Sequence, residues 1–161
     1  MTRTGIGFDT HCLVACRPLI LGGVEIPHER GLLGHSDADV LVHAIMDALL
    51  GAIADGDIGQ HFPDSDSRWK DASSMEMLRL VVSRLRTHGW RVCNVDSTIL
   101  AEAPRLAPHM PRMRTCLADA LGVDVMRVSV KATTTEGLGA IGRREGISAM
   151  AVATVVEAAP T

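Results

Sequence analysis

The sequence predicts a single α/β (α+β) domain over residues 1–161, with one β-sheet covered by helices on one side. Three observations carry this. At 161 residues the chain can bury one sizeable core and is short for two. Stretches with strand-like alternation interleave with stretches of helical period. The last strand-like stretch, Ile147 to Val156, is apolar on both faces, so a helix layer can cover only one of them. The other needs a second cover, which points to oligomerisation through the sheet, with Ala151 read as an inward position there.

The elements follow in order. Thr4 to His11 alternates Ile6 and Phe8 with small or polar residues and reads as a strand; Asp9 and His11 then share a face, opposite Phe8. Short strands Leu19 to Leu21 and Val24 to Ile26 flank a Gly22-Gly23 turn. A first helix starts near Ser36, a good N-cap, with Asp37 and Asp39 in its first turn, and runs through Ala54. Asp39, His43 and Asp47, spaced i, i+4, share one helix face. The two carboxylates either complement the helix dipole and stay solvated, or orient the His43 imidazole from behind. A second helix spans Ser73 to Thr87, and Gly89 turns the chain into a strand from Arg91 to Ala101. A third helix, Pro111 to Leu121, is closed by Gly122; strands Arg127 to Ala132 and Ile147 to Val156 complete the chain.

Composition excludes several function classes. A net charge of -3 with scattered basic residues gives no footprint for nucleic acid, and 2% aromatic residues with no Tyr provide no platform for stacking bases. No apolar run reaches membrane-spanning length, and the start of the chain lacks a secretory pattern. The four cysteines, Cys12, Cys16, Cys93 and Cys116, have neither C-x-x-C spacing nor disulfide-rich density. The expectation is a cytoplasmic protein with an aliphatic core.

Asp9, His11 and His43 are the candidate metal ligands. Two imidazoles and a carboxylate suit zinc and leave a fourth tetrahedral position for water or a substrate oxygen. D-x-H alone matches often by chance, and histidine is commonly a satisfied polar group. K-A-T-T-T-E, Lys131 to Glu136, closes a strand with hydroxyls, an ammonium and a carboxylate, a set able to hold phosphate oxygens and a hard divalent cation; an edge turn rich in strand-favouring Thr is the plainer reading. Gly137, Gly139 and Gly142 match G-x-G-x-x-G, but the chain enters its last strand within a few residues, so the dinucleotide reading fails on context.

Taken in order, G-F-D-T-H, L-G-G-V-x-I-P, G-H-S-D-A-D-V-L-V-H-A-I-M-D-A-L-L-G, G-D-I-G-x-x-F-P-D, A-E-A-P-R-L, K-A-T-T-T-E-G-L-G and G-R-x-E-G-I resemble the 2-C-methyl-D-erythritol 2,4-cyclodiphosphate synthase family over essentially the whole chain. The resemblance implies a homotrimer with sheets packed around its axis and active sites between neighbouring subunits. It implies an intramolecular, metal-dependent reaction of the non-mevalonate isoprenoid route. There, the 2-phosphate of 4-diphosphocytidyl-2-C-methyl-D-erythritol 2-phosphate attacks the β-phosphorus and expels CMP.

It also implies residue roles. Asp9, His11 and His43 would bind one zinc per subunit, with Thr10 among the residues around the substrate. His35 and Ser36 would contact substrate, and His35 and Thr134 would stabilise the transition state. Asp57, Ile58 and Gly59, with Phe62, Pro63, Asp64, Ser65 and Asp66, would meet the methylerythritol portion. From the neighbouring subunit, Ala101, Glu102, Ala103, Pro104, Arg105, Leu106 and Ala107 with Thr133, Thr134, Thr135 and Glu136 would hold cytosine and phosphates. Glu136 would bind Mg²⁺ or Mn²⁺. Ala140, Arg143 and Phe8 would surround an axial cavity able to take an isoprenoid diphosphate. Two positions depart from the family pattern: Arg105 replaces a frequent Lys, and Ala140 a common Phe. Competing readings are a zinc-dependent phosphoesterase and a trimeric isoprenoid-diphosphate binding protein.

Overall fold

The computed structural model describes residues 1–158. Strand β1 (Thr2–Ala15) pairs antiparallel with β4 (Arg30–Leu32) at one edge and with β7 (Gly146–Glu157) on the other side. β7 in turn pairs antiparallel with β5 (Trp90–Leu100), and β5 pairs parallel with β6 (Val128–Thr133). The sheet order is therefore β4-β1-β7-β5-β6, and the parallel β5–β6 step requires a crossover, which contains α4 (Met110–Leu121). β2 (Leu19–Leu21) and β3 (Val24–Ile26) form a separate hairpin. Gly22 and Gly23 turn it with φ of 58° and 73°, values that suit glycine.

Helices α1 (Val40–Ala52) and α3 (Ser74–Thr87) complete the layer with α4. α1 packs unusually close to β1, because Gly5 and Gly7 present no side chains to it. A Cβ at Gly5 would collide with the Ala48 carbonyl, and one at Gly7 with the Ala44 carbonyl. On β7, Ile147, Ala149, Ala151, Ala153 and Val155 all turn inward to this layer and are at most 1% exposed. Small residues there admit the helix, while Leu41, Ile45, Leu49, Leu78 and Leu85 fill the aliphatic core.

Among the described residues nothing covers the opposite face of the same strands, and its centre is apolar. Ile6, Phe8, Met150 and Val152 are 65%, 57%, 43% and 41% exposed. Ala151 thus belongs to the helix-covered face, contrary to the sequence expectation; strict alternation puts Met150 and Val152 on the open one. Among the described residues, no helix is long and apolar enough to cross a membrane.

The first helix also begins later than expected. Asp39, not Ser36, is the N-cap: its carboxylate accepts from Val42 N at 3.1 Å and from Gly22 N and Gly23 N at 2.9 and 2.7 Å. Burial, followed by the charge of Asp37, pushes the Asp39 carboxyl up to about 6 despite these three donors. Short strand β4 and short helices α2 (Ile58–His61) and α5 (Gly139–Gly142) carry too few residues to show a period in the sequence.

Candidate metal centre and active site

Asp9 and His11 leave β1 on its helix-covered face, and His43 comes down from the first turn of α1. Asp9 Oδ2 lies 2.8 Å from His11 Nε2 and 3.0 Å from His43 Nδ1, and the two ring nitrogens are 3.2 Å apart. All three donor atoms fall within 4.8 Å of one another. Ligands of a tetrahedral zinc at ~2.0–2.1 Å stand about 3.3 Å apart, so the trio needs only a slight opening to hold such an ion. The donor set and its geometry therefore fit zinc.

Both imidazoles are oriented from behind. His11 Nδ1 lies 2.7 Å from the Leu33 carbonyl, which can only accept, so this nitrogen carries the proton and Nε2 presents a lone pair. His43 Nε2 lies 2.9 Å from Ser74 Oγ and 3.2 Å from Ser36 Oγ. Of the two alternatives for Asp39 and Asp47, neither carboxylate stands behind His43. Asp39 is instead spent on its own cap, and Asp47 accepts from Ile58 N at 2.8 Å, tying α2 to α1. Ser74 was not anticipated; it stands at the start of another helix, and no spacing within α1 could announce it.

Electrostatics favour a charged cluster. Burial opposes ionisation of Asp9, but hydrogen bonds and charges from His11 and His43 outweigh it and hold the carboxyl well below the usual carboxylate range. Burial likewise opposes protonation of His11, yet Asp9 and the Leu33 carbonyl raise its pKa above the ordinary imidazole value. In the metal-free protein the His11 contribution to stability is complete below pH 6.5 and is lost as pH rises through the raised value. The Asp9 contribution is present above its ordinary pKa of 3.8 and is lost only in strong acid. Zinc has the opposite preference, because protons compete for His11. Thermal melting with and without zinc is expected to give a larger zinc-induced rise at pH 8 than at pH 6. The rise at pH 8 should be about 5–10 °C at free zinc near 100 times Kd. An equal or larger rise at pH 6 would remove His11 from the ligand set.

A cavity of ≈ 310 Å³ opens over the trio, lined also by His35, Ser36, Ile58, Gly59, Phe62 and Asp64. Trp69 and Met77, absent from the sequence reading, join its wall. His35 Nε2 is 3.3 Å from the Asp66 carbonyl, while Ser36 is buried with its hydroxyl toward His43. Asp57 caps α2, and the Asp66 carboxylate is taken by Arg68 at 2.6 Å. Pro63 and Ser65 do not line this cavity. Thr10 points to the other face of the sheet, its Oγ1 2.8 Å from Ser148 Oγ.

The remaining expected residues gather elsewhere. Ala101, Glu102, Pro104, Arg105, Leu106 and Ala107 line a second cavity of ≈ 360 Å³ with Thr133 and Thr134. Ala103 lies in the same segment but outside the lining. Glu102 Oε1 accepts from Thr135 N at 2.8 Å and Gly137 N at 3.2 Å, clamping the following turn. In that turn Glu136 adopts a φ of 54°, and its Oε1 accepts from Thr134 Oγ1 at 3.0 Å. The second Glu136 oxygen accepts no hydrogen bond among the described residues, so a hard carboxylate oxygen is available to a divalent cation. Ala140 is exposed on α5, and Arg143 is paired with Glu145 at 2.7 Å.

The two cavities lie at the same end of the sheet. His11 is in register with Ile147, and Leu100 with Ser148, so the trio and the 101–107 segment stand two strands, roughly 10 Å, apart across β7. The imidazoles gather in the first, and Arg105 with the Thr133 and Thr134 hydroxyls in the second.

Comparison with known proteins agrees with this geometry. A 2-C-methyl-D-erythritol 2,4-cyclodiphosphate synthase from Syntrophomonas wolfei is 62% identical over 156 residues, covering 97% of this chain and 99% of its own. The synthase of that name from Salinibacter ruber is 58% identical over 97% of this chain and 99% of its own. The structure of the bifunctional IspDF from Campylobacter jejuni superposes with a TM-score of 0.94 at 42% identity; it covers 98% of this chain, which spans only 42% of that protein. The CDP complex of IspF from Plasmodium falciparum gives 0.86 at 30% identity, over 98% of this chain and 97% of that one. With a family model matching residues 2–156, and relatives this similar along their whole length, the chain belongs to the YgbB family.

Proposed function

We propose that the chain is a cyclodiphosphate synthase: it closes 4-diphosphocytidyl-2-C-methyl-D-erythritol 2-phosphate to 2-C-methyl-D-erythritol 2,4-cyclodiphosphate, the product for which its relatives are named, and releases CMP. The observation that carries this reading is the Asp9, His11 and His43 trio, closed on one point beneath a cavity. Bound there, zinc supplies a Lewis acid that holds a phosphoryl oxygen in place. Glu136 would hold a Mg²⁺ or Mn²⁺, which would supply charge neutralisation to the diphosphate.

The chain's own residues then have a positioning task. A 2-phosphate oxygen of the substrate attacks the β-phosphorus, the bond from that phosphorus to the oxygen shared with CMP breaks, and CMP leaves with the electron pair. No protein nucleophile is required, so the work is in-line folding of a flexible diphosphate and compensation of its charge. His35 and Thr134 stabilise the transferring phosphoryl group, and Ser36 supports the same wall. Asp57, Ile58, Gly59 and the 62–66 segment enclose the methylerythritol hydroxyls. The 101–107 segment receives cytosine, with Arg105, Thr133, Thr134 and Thr135 on the phosphates.

The two half-cavities within one chain support a site completed between subunits, and the bare face of Ile6, Phe8, Met150 and Val152 supports a homotrimer closed through its sheets. On the trimer axis, Arg143 and Phe8 would meet an isoprenoid diphosphate, with Ala140 leaving the wall open.

The deciding assay is CMP release with and without a chelator, followed by identification of the second product. An intact cyclic diphosphate supports cyclisation; inorganic phosphate would mean hydrolysis at the same centre. Thr134→Ala and Glu136→Gln are expected to lower turnover by about 10²-fold while weakening CMP binding less than tenfold, because their partners change charge in the transition state. Equal losses in both quantities would place these residues in ground-state binding.

A further inference from the structure

Behind His43 runs a hydrogen-bond chain that the proposed reaction does not itself require. Ser74 Oγ, 2.9 Å from His43 Nε2, donates its proton to Asp37 Oδ1. Asp37 is held in place by further bonds: Oδ2 accepts from Ser74 N at 3.0 Å, Oδ1 from Asp39 N at 3.2 Å, and its own N–H donates to the Ala72 carbonyl at 3.0 Å. An ionised carboxylate can only accept. The Ser74 proton is therefore committed to Asp37, and Ser74 Oγ has only a lone pair to offer His43. Ser74 therefore accepts at Nε2, while Asp9 Oδ2, 3.0 Å from Nδ1, accepts on the other side of the ring; a proton kept on Nε2 is what leaves the Nδ1 lone pair for a metal. The other hydroxyl near Nε2, Ser36 Oγ, accepts from Ala38 N at 3.2 Å and makes no comparable link to a carboxylate.

We propose that Asp37 is a positioning residue which, through the Ser74 hydroxyl, holds a proton on His43 Nε2 and so leaves Nδ1 as the metal donor. Without Asp37 the Ser74 hydroxyl can rotate and donate to Nε2. The imidazole proton then moves to Nδ1 and hydrogen-bonds Asp9, occupying two of the three ligand atoms at once. The proposal rests on the metal reading of the trio but concerns a different pair of residues. It explains why α3 must begin where it does: its first residue is the link between carboxylate and imidazole.

The test uses the full-length protein in two states. In the metal-free form at pH 8, where an ordinary imidazole is neutral, ¹⁵N NMR of labelled histidines distinguishes a protonated Nε2 from a protonated Nδ1. Wild type is expected to carry a proton on His43 Nε2, and Asp37→Ala to lose it in favour of Nδ1–H. Chelator competition for zinc is expected to show a 10- to 100-fold loss of affinity in Asp37→Ala and Ser74→Ala, and near wild-type affinity in Ser74→Thr. Ser74→Ala keeps the Ser74 backbone N–H on Asp37, so it removes the hydroxyl link without removing the cap of α3. A loss of zinc in that variant with an unchanged melting temperature of the metal-free protein separates positioning from folding. His43 remaining Nε2–H in Asp37→Ala, or zinc affinity in Ser74→Ala within about twofold of wild type, would overturn the proposal. Wild-type protein that binds no zinc would overturn the metal reading itself, and the NMR comparison would still decide the tautomer.

Discussion

His43→Ala is expected to yield a folded protein that retains almost no zinc and releases CMP at least about 10³-fold more slowly. On the proposed reading the imidazole is one of three protein donors, and a two-donor site would keep neither the geometry nor the affinity of a catalytic zinc. The loss should exceed the 10- to 100-fold that follows when a group merely supporting a ligand is removed. Folding should survive. His43 is 6% exposed, but its ring touches polar groups, Ser36, Ser74 and Asp9, that water can satisfy in its absence. The expected cost is about 1–3 kcal/mol, within what a domain of this size tolerates. Metal analysis of the purified variant beside a CMP-release assay checks both halves. Full turnover by a zinc-free variant would remove the trio from the reaction.

Val152→Asp is expected to stop assembly and, with it, activity. Val152 stands on the open face of β7 between Ile6 and Met150, and an aspartate there is harmless to an isolated subunit because the position is exposed. In a three-fold arrangement closed through this face, each subunit would bury one unpaired carboxylate, at several kcal/mol per copy. Light scattering should report a folded monomer, and CMP release should track the residual trimer. Ala151→Asp asks a different question. Its side chain would enter the face packed against α1, so that substitution should unfold the subunit itself. A fully active monomeric Val152→Asp protein would contradict both the interface and the sharing of sites.

The candidate metal trio was legible in part: Asp9 and His11 share a face by two-residue alternation, while only the family resemblance joined His43 to them, and the structure brings the three together. What stands behind the ligands was not. Asp39 and Asp47 share the His43 helix face by spacing, yet each carboxylate is captured by backbone N–H groups from a loop or a neighbouring helix, contacts that no periodicity encodes. Ser74 lies 31 residues beyond His43, and only the packing of α3 brings it there. The two-faced apolar character of β7 was visible from composition, but which residues face which way depended on the register. Ala151 was accordingly assigned to the wrong side. Gly34 opens the G-H-S-D motif, but its role shows only in the fold: a Cβ there would meet the Ala38 side chain at 2.8 Å and His11 Cε1 at 3.1 Å, so its bare backbone leaves room for the His11 ring.

The glycines of β1 carry a further consequence for how this chain can vary. Because Gly5 and Gly7 bring α1 down onto main-chain atoms, the gap between His43 and the two ligands of β1 is fixed by backbone against backbone, not by the aliphatic side chains around it. Exchanges among Leu, Ile, Val and Met elsewhere in the core can drift over generations with little effect on the distance from imidazole to carboxylate. A single methyl at position 7 cannot be absorbed in that way. It would lift the helix from the strand and carry His43 with it, so the tolerance of the candidate metal centre to mutation is broad across the core and narrow at two positions that belong to none of its three residues.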